Sequence, residues 1–460
     1  MKEDSQTHST FLKNSETVAF DERHRGIIAY NMARYDEAAA VGKQQFSNLD
    51  LARRRAAMKK HHMLEHLEDH LKNFEHSFVR NGGKVIWAQD ATEARQAILQ
   101  LFEEHYVKKV VKSKSMITEE IGLTECLEKN GIECIETDLG EYIIQVSGDK
   151  PYHIVTPAMH LSAADVAGIF HKKFQLPPDS SPEAITAFVR NKLREKFARA
   201  DAGITGANFL VAGSGSVALT ENEGNGLLSM AFPRLHIVVA GIEKVVASMD
   251  DLGLFWPLLA SHGTGQQITA YNSLVQGPRR SNESDGPDQM VVVLVDNGRS
   301  RLLAATPQRR SLSCIRCGAC LNACPVYRNI GGHAYGTVYS GPIGAVISPH
   351  LLGRLDEYKH LSYASSLCGK CTEVCPVGID LHHQLLYNRR LSVKLGLTTR
   401  NERLGMKAYA MVMGRRKWLD MPGIKAKNFV ARHFFGKAWG KRREVPVVKE
   451  SFARRYTGRR

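Results

Sequence analysis

Apolar positions recur along this chain in two rhythms, and the change between them divides it. The first fifty residues are mostly polar, with Ile27, Ile28, Met32 and Tyr35 on helical spacing. After Asp50, a candidate helix cap, the run L-A-R-R-R-A-A-M-K-K-H-H-M-L-E-H-L-E-D-H-L predicts one long helix over residues 51–78. His61, His62, His66 and His70 partly recur at helical steps there. They read either as a metal-binding stripe or as the exposed face of a packing helix.

Short apolar runs separated by helix-length segments follow. G-G-K-V-I-W-A-Q-D, K-K-V-V-K-S-K-S and I-E-C-I-E-T-D read as strands, with helices predicted over 91–105 and 121–131 between them. H-I-V-T-P-A-M-H at 153–160 reads as a further strand end. Helices are predicted over 161–174 and 183–200, on either side of the turn-rich Q-L-P-P-D-S-S-P. This alternation is what a parallel sheet covered on both faces requires. Between residues 202 and 246, glycine and small polar residues stand beside strand-like runs. That composition suits either tight hairpins in a mixed sheet or a floor where backbone approaches a ligand closely. Glu221, Asn222, Glu223 and Asn225 are the polar groups there that a pocket would use. Neither a dinucleotide fingerprint nor a phosphate loop is present. F-P-R-L-H-I-V-V-A-G and Q-M-V-V-V-L-V-D-N-G continue the sheet, and a hinge is expected at 306–310.

The second rhythm is set by cysteine. Cys314, Cys317, Cys320 and Cys324 are spaced C-x2-C-x2-C-x3-C-P, and Cys368, Cys371 and Cys375, followed by Pro376, form a second group. The first spacing is that of a ferredoxin half-motif, whose first three thiolates hold one cluster while the fourth crosses to another. By that rule Cys314, Cys317, Cys320 and Cys375 hold one [4Fe-4S] cluster, and Cys324, Cys368 and Cys371 hold a second. The second group lacks one thiolate, because Ser365 stands where the pattern wants cysteine. The remaining iron could take the Ser365 alkoxide, water or a partner's side chain, or be missing, as in a [3Fe-4S] centre. Structural zinc also suits thiolates, but groups of four and three, each closed by C-P, fit zinc ribbons awkwardly. Cys126 and Cys134 lie apart and read as buried or idle thiols.

Composition adds three points. At 460 residues with 43% hydrophobic content, the chain has material for two or three cored domains. The start lacks the apolar region of a secretory signal, and no apolar run approaches a membrane span. With thiols placed as metal ligands, this points to the cytoplasm. The formal charge of +15 is concentrated at the end, where residues 381–460 hold 21 Lys and Arg against 4 Asp and Glu. Trp418, Phe429, Phe434, Phe435 and Trp439 are interleaved with that charge. Such a tail suits an acidic partner, an anionic membrane surface or a solvated face, and carries no nucleic-acid-binding motif.

Taken together, K-S-K-S-M at 112–116, D-L-G-E-Y at 138–142, G-I-T-G-A-N at 203–208, L-T-E-N-E-G-N at 219–225, Y-S-G-P-I-G at 339–344 and the two cysteine groups are specific. With them the chain resembles the iron–sulfur subunits of bacterial lactate-utilisation systems (LutB type) over essentially its full length. The resemblance implies an α/β LUD domain of the sugar-isomerase and CoA-transferase kind (NagB/RpiA-like). After it come an α-helical two-[4Fe-4S] ferredoxin-type domain and a basic helical C-terminal extension. The boundaries expected are 1–70 for an N-terminal helical extension, 71–305 for the LUD domain, 306–385 for the cluster domain and 386–460 for the basic region. The resemblance also implies a cytoplasmic three-protein system oxidising L-lactate to pyruvate, in which this chain carries electrons. Its partners would be a cysteine-rich heterodisulfide-reductase-like subunit and a second LUD-domain subunit. Three-cysteine ligation of the second cluster looks like the family's own pattern. Related LUD domains are expected to carry an acidic residue after Ala212, where this chain has Gly213. Two alternatives belong to other classes: a 2-hydroxy-acid dehydrogenase using an open-site cluster or the Glu221–Asn225 pocket, and a nucleic-acid or scaffold protein using the tail.

Overall fold

The structure, a computed structural model, describes residues 6–416, 418, 423–439 and 447–450, with side chains of the last helix described to residue 433. Phe434, Phe435 and Trp439, among the aromatic residues noted in the tail, therefore lie outside the described side chains. The chain divides into two compact units near Leu395.

Ten strands build the larger unit: β1 (Lys84–Ala88), β2 (Lys109–Lys112), β3 (Glu133–Glu136), β4 (Ala202–Thr205), β5 (Phe209–Val211), β6 (Ser216–Glu221), β7 (Leu235–Gly241), β8 (Val245–Val246), β9 (Tyr271–Val275) and β10 (Gln289–Val295). Six form an all-parallel sheet in the order β1-β10-β7-β4-β2-β3. The two-residue period of a strand divides β10 between two cores. Val291, Val293 and Val295 pack with Ile98 and Phe102 of the helix Ala91–Glu104 on one face. On the other face Met290, Val292 and Leu294 pack with Phe74 and Phe78 of the helix Leu67–Arg80. Both phenylalanines are fully buried, each contributing roughly 1.5–3 kcal/mol. A third core, around Phe170, gathers the helices Leu139–Ser147, Ala163–Phe174 and Pro182–Ala198 beside Val111.

The glycine-rich stretch makes a smaller mixed sheet in the order β8-β5-β6-β9. Its β5–β6 hairpin turns through Ala212–Gly215, where Gly215 (φ +64°) lies so close that an added Cβ would stand 2.4 Å from the Phe78 amide nitrogen. Gly213 belongs to this turn, and its amide donates to Ala247 O at 3.0 Å.

Several expected elements differ. The helix over 51–78 is two helices, Leu49–Glu65 and Leu67–Arg80, parted at His66, whose backbone leaves helical geometry. The first is capped by Asn48, whose side chain accepts from the Leu51 amide, and not by Asp50. The polar first fifty residues hold two more helices, Gln6–Phe20 and Glu22–Gly42, which bury Phe11, Ile28 and Met32. The predicted helix 121–131 is shorter, Leu123–Lys129, and follows Met116–Glu120 across a left-handed Gly122. H-I-V-T-P-A-M-H is no strand. The His153 ring takes the Val155 and Thr156 amides, and Tyr152 O accepts from the Tyr327 hydroxyl at 2.7 Å, so the segment folds as a loop.

The cysteine segment is built of short helices, among them Ala319–Asn322, Gly341–Leu351, Lys370–Glu373 and Leu381–Lys394. Its core is continuous with that of the N-terminal helices, uniting Phe11, Ile28 and Met32 with Leu321, Tyr327, Ile343 and Val346. Residues 306–310 are held on both sides rather than forming a free hinge. Gln384 Nε2 donates to Pro307 O at 2.8 Å, and Gln308 is buried against Asn388. Gly331 (φ +70°) lies where a Cβ would fall 1.7 Å from the Tyr152 hydroxyl, so the linker between the cysteine groups closes tightly on the 149–160 loop.

The tail holds the helices Arg400–Met413, opened by a Thr399–Glu402 capping box, and Ile424–Trp439. Among the described residues no helix is long and apolar enough to cross a membrane.

Candidate metal centre and the cavity beside it

The C-x2-C spacing works because the backbone reverses within it. Arg316 (φ +62°) and Gly318 (φ +78°) flank Cys317 in left-handed conformation, then the short helix Ala319–Asn322 starts. The second group repeats this. Leu367 (φ +54°) and Gly369 (φ +80°) flank Cys368, and the helix Lys370–Glu373 follows. In the first turn the Arg316 amide lies 3.4 Å from Cys314 Sγ. In the second the Leu367 amide donates to Ser365 Oγ at 3.1 Å. Ser365 therefore occupies the place in its turn that Cys314 occupies in the other.

The cysteines fall into two sets in space. Cys314, Cys317, Cys320 and Cys375 border one small recess, walled by Ile154, Ile343, Val377 and Leu381. Cys324 and Cys371 lie near each other and near Cys368. Burial pushes the Cys375 and Cys371 thiols each up to about 11, and pushes Cys317 and Cys320 up further, with neighbouring cysteines adding to the effect. Thiols so crowded and desolvated ionise together only when bound to cations, which is the donor set an iron–sulfur cluster needs. The Ile379 amide donates to Cys375 Sγ at 3.3 Å, a further feature of thiolate sites. Cys368 is exposed, so the second set opens to the surface, whereas the first is buried except at the partly exposed Cys314. Tyr335, fully buried beside Cys320 and Cys324, has no hydrogen-bond partner for its hydroxyl among the described residues. Cys134 is buried in the sheet core with its thiol pushed up to about 12 by burial, and Cys126 lies apart from both sets. His61, His62, His66 and His70 form no candidate metal-binding group among the described residues.

Next to the first set lies a cavity of about 390 Å³. It opens at the carboxyl ends of the parallel strands, bordered by Ser113 and Lys114 after β2, Gly206 and Asn208 after β4, and Glu243 and Lys244 after β7. Strand order reverses between β2 and β4, because β3 lies on one side of β2 and β4 on the other. Open α/β sheets bind ligands at such a crevice. Glu221, Asn222, Glu223 and Asn225 all border the cavity, whereas Gly213, in its hairpin turn, does not.

The opposite wall comes from the cysteine segment: Arg316, Cys317 and Tyr339. Sequence reading missed this wall, because only the fold brings residues near 120, 240, 300 and 316 together. Arg299, 1% exposed, grips Glu120 with two bonds of 2.8 Å and Glu243 with one of 2.6 Å. Arg316 reaches Glu243 at 3.4 Å and lies over the Tyr339 ring, whose hydroxyl donates to Glu120 at 2.6 Å. Burial alone would raise the Glu243 carboxyl, but Arg299, backed by Arg316, overrides it and holds it down to about 2. Burial, helped by Arg316, lowers the Lys244 ammonium to about 8. At the other end, burial and Asp138 push Glu223 up to about 7, and burial raises Glu221 although it accepts from the Gly226 and Leu227 amides.

Two family models match the chain. Residues 71–295 match the LUD domain and residues 310–379 match a 4Fe-4S dicluster domain. Lactate utilization protein B of Bacillus velezensis is 43% identical over 406 residues, covering 86% of this chain and 85% of that protein. The proteins of the same name from Bacillus pumilus and Macrococcus caseolyticus are 44% and 43% identical, covering 84% and 88% of this chain and 82% and 84% of those proteins. A crystal structure of a DUF162 family protein from Deinococcus radiodurans aligns with 50% of this chain and 98% of its own at 15% identity. Its TM-score of 0.29 is too low to bear on the fold. The dicluster match and the two cysteine sets agree on two [4Fe-4S] clusters.

Proposed function

The chain belongs to the lactate utilization protein B family, and from that premise we propose that it is the electron-carrying component of a multi-protein system oxidising L-lactate to pyruvate. Its LUD domain takes the sugar-isomerase and CoA-transferase type of α/β fold. The observation that carries the reading is the pair of cysteine sets, one buried except at Cys314 and one reaching the surface at Cys368.

We assign Cys314, Cys317, Cys320 and Cys375 to the inner cluster and Cys324, Cys368 and Cys371 to the outer one. Ser365 is assigned as the fourth ligand of the outer cluster, on the equivalence of the two turns. Bound there, such clusters accept and release single electrons. The residues around them do the rest: Ile154, Ile343, Val377 and Leu381 exclude water, and backbone amides donate to sulfur. Arg316 places a fixed positive charge beside the inner set. Bond-making on lactate belongs to another component. The partners are a cysteine-rich heterodisulfide-reductase-like subunit and a second LUD-domain subunit in the cytoplasm, with the basic tail available to an acidic partner or an anionic membrane surface.

Anaerobic mixing with L-lactate tests this. With both partner proteins present, electron paramagnetic resonance is expected to show this chain's clusters reduced. With L-lactate alone they stay oxidised. Reduction of the isolated chain by L-lactate would instead make it the dehydrogenase.

A further inference from the structure

The cavity beside the inner cysteine set carries an inference beyond electron transfer. Two of its polar groups are buried and, among the described residues, without a hydrogen-bond partner: Arg316 Nη1, on a side chain 9% exposed, and the Ser113 hydroxyl. The Lys244 ammonium borders the same space, and among the described residues no hydrogen bond or ion pair is found for it. Leaving buried donors unmatched is costly, and a cationic one most of all. Glu243 does not meet the need, since its two oxygens already serve Arg299 and Arg316. At the other end stand Glu221, Glu223 and Asp138, which suit hydroxyl donors, with Lys114 close to Asp138 and Glu223 and with Asn225, whose amide can donate or accept.

We propose that this cavity binds a small 2-hydroxy- or 2-oxo-carboxylate, its carboxylate held by Arg316 and Lys244 and its 2-substituent turned toward Glu221, Glu223 and Asn225, where the carboxylates accept from a hydroxyl and the Asn225 amide donates to a keto oxygen. The volume is within the range of small-molecule sites. Because Arg316 and Cys317 form one wall, the bound carboxylate lies beside the inner cluster's ligands. A negative charge there disfavours adding an electron to that cluster. By linkage, reduction of the cluster weakens the carboxylate's binding by the same factor. Carboxylate occupancy and cluster oxidation state therefore report on each other.

The choice of probes rests on the lactate reading above, but its failure would look different, because that reading is tested by cluster reduction and not by binding. The experiment is anaerobic titration calorimetry of the cluster-loaded chain with L-lactate, pyruvate, L-malate and 2-oxoglutarate, alongside redox titration with and without each acid. At least one acid is expected to bind saturably, to move the inner cluster's midpoint potential to more negative values, and to bind more weakly after dithionite reduction. Lys244→Met, with iron content unchanged, is expected to weaken that binding by about thirtyfold. Asn225→Ala, remote from the cysteines, provides a second variant and is expected to weaken it less. Absence of binding by all four acids would overturn the proposal. So would a Lys244→Met variant that shifts the midpoint potential while binding is unchanged, since the cations would then serve the cluster alone.

Discussion

Cys320→Ser is expected to remove about four of the roughly eight irons that two [4Fe-4S] clusters bring. Iron and acid-labile sulfide on anaerobically purified protein would measure the loss. Cys320 is 8% exposed and lies in the core shared by the N-terminal helices and the cysteine segment. A hydroxyl there is a harder and much less acidic ligand, and without iron it is a buried polar group facing three crowded thiols. The loss should therefore extend to stability, with a lower thermal midpoint than the parent. Cys126→Ser should leave the iron count unchanged, since Cys126 lies apart from both sets. Equal iron loss from the two variants would contradict the assignment.

Glu243→Gln is expected to be the most damaging single change outside the cysteines. The substitution leaves Arg299, fully buried, with Glu120 alone, and Arg316 with no carboxylate among its described contacts. Breaking a buried ion pair by removing one partner costs roughly 3–5 kcal/mol, which thermal unfolding under anaerobic conditions would register. The pH dependence supplies a second readout. Glu243 is held down to about 2, below its ordinary carboxylate range. Its contribution is complete above that ordinary range and is lost as pH falls toward about 2, because the unfolded chain takes up the proton first. The difference between parent and variant should accordingly shrink on acidification. A difference that stays constant would remove Glu243 from the network.

What the sequence revealed follows from the range of the interactions concerned. Cysteine spacing is local, so two turns of a few residues each could be read directly. The parallel sheet was legible for the same reason, since each apolar strand and amphipathic helix carries its own period. Breaks were harder. Nothing in H-L-E-D-H marks His66 as the point where one helix becomes two, and the 153–160 segment looks strand-like, although Tyr327 and Gly331 close on Tyr152 just before it. Glu221, Asn222, Glu223 and Asn225 were recognisable as possible pocket residues, but the far wall was not. The ion pairs among Glu120, Glu243, Arg299 and Arg316 join positions 56 to 179 residues apart that meet only through the sheet. Ser365 is the converse case: the motif lacks a cysteine there, yet the turn around Ser365 matches the one around Cys314.

The measurement that tests the central claim most directly is iron and acid-labile sulfide content of the intact chain, with electron paramagnetic resonance before and after dithionite. About eight irons, a silent oxidised state and a coupled signal on reduction are expected from two [4Fe-4S] clusters. About seven irons with an oxidised [3Fe-4S] signal would leave the electron-carrying role standing but remove Ser365 as a ligand. Zinc in place of iron would contradict the account as a whole.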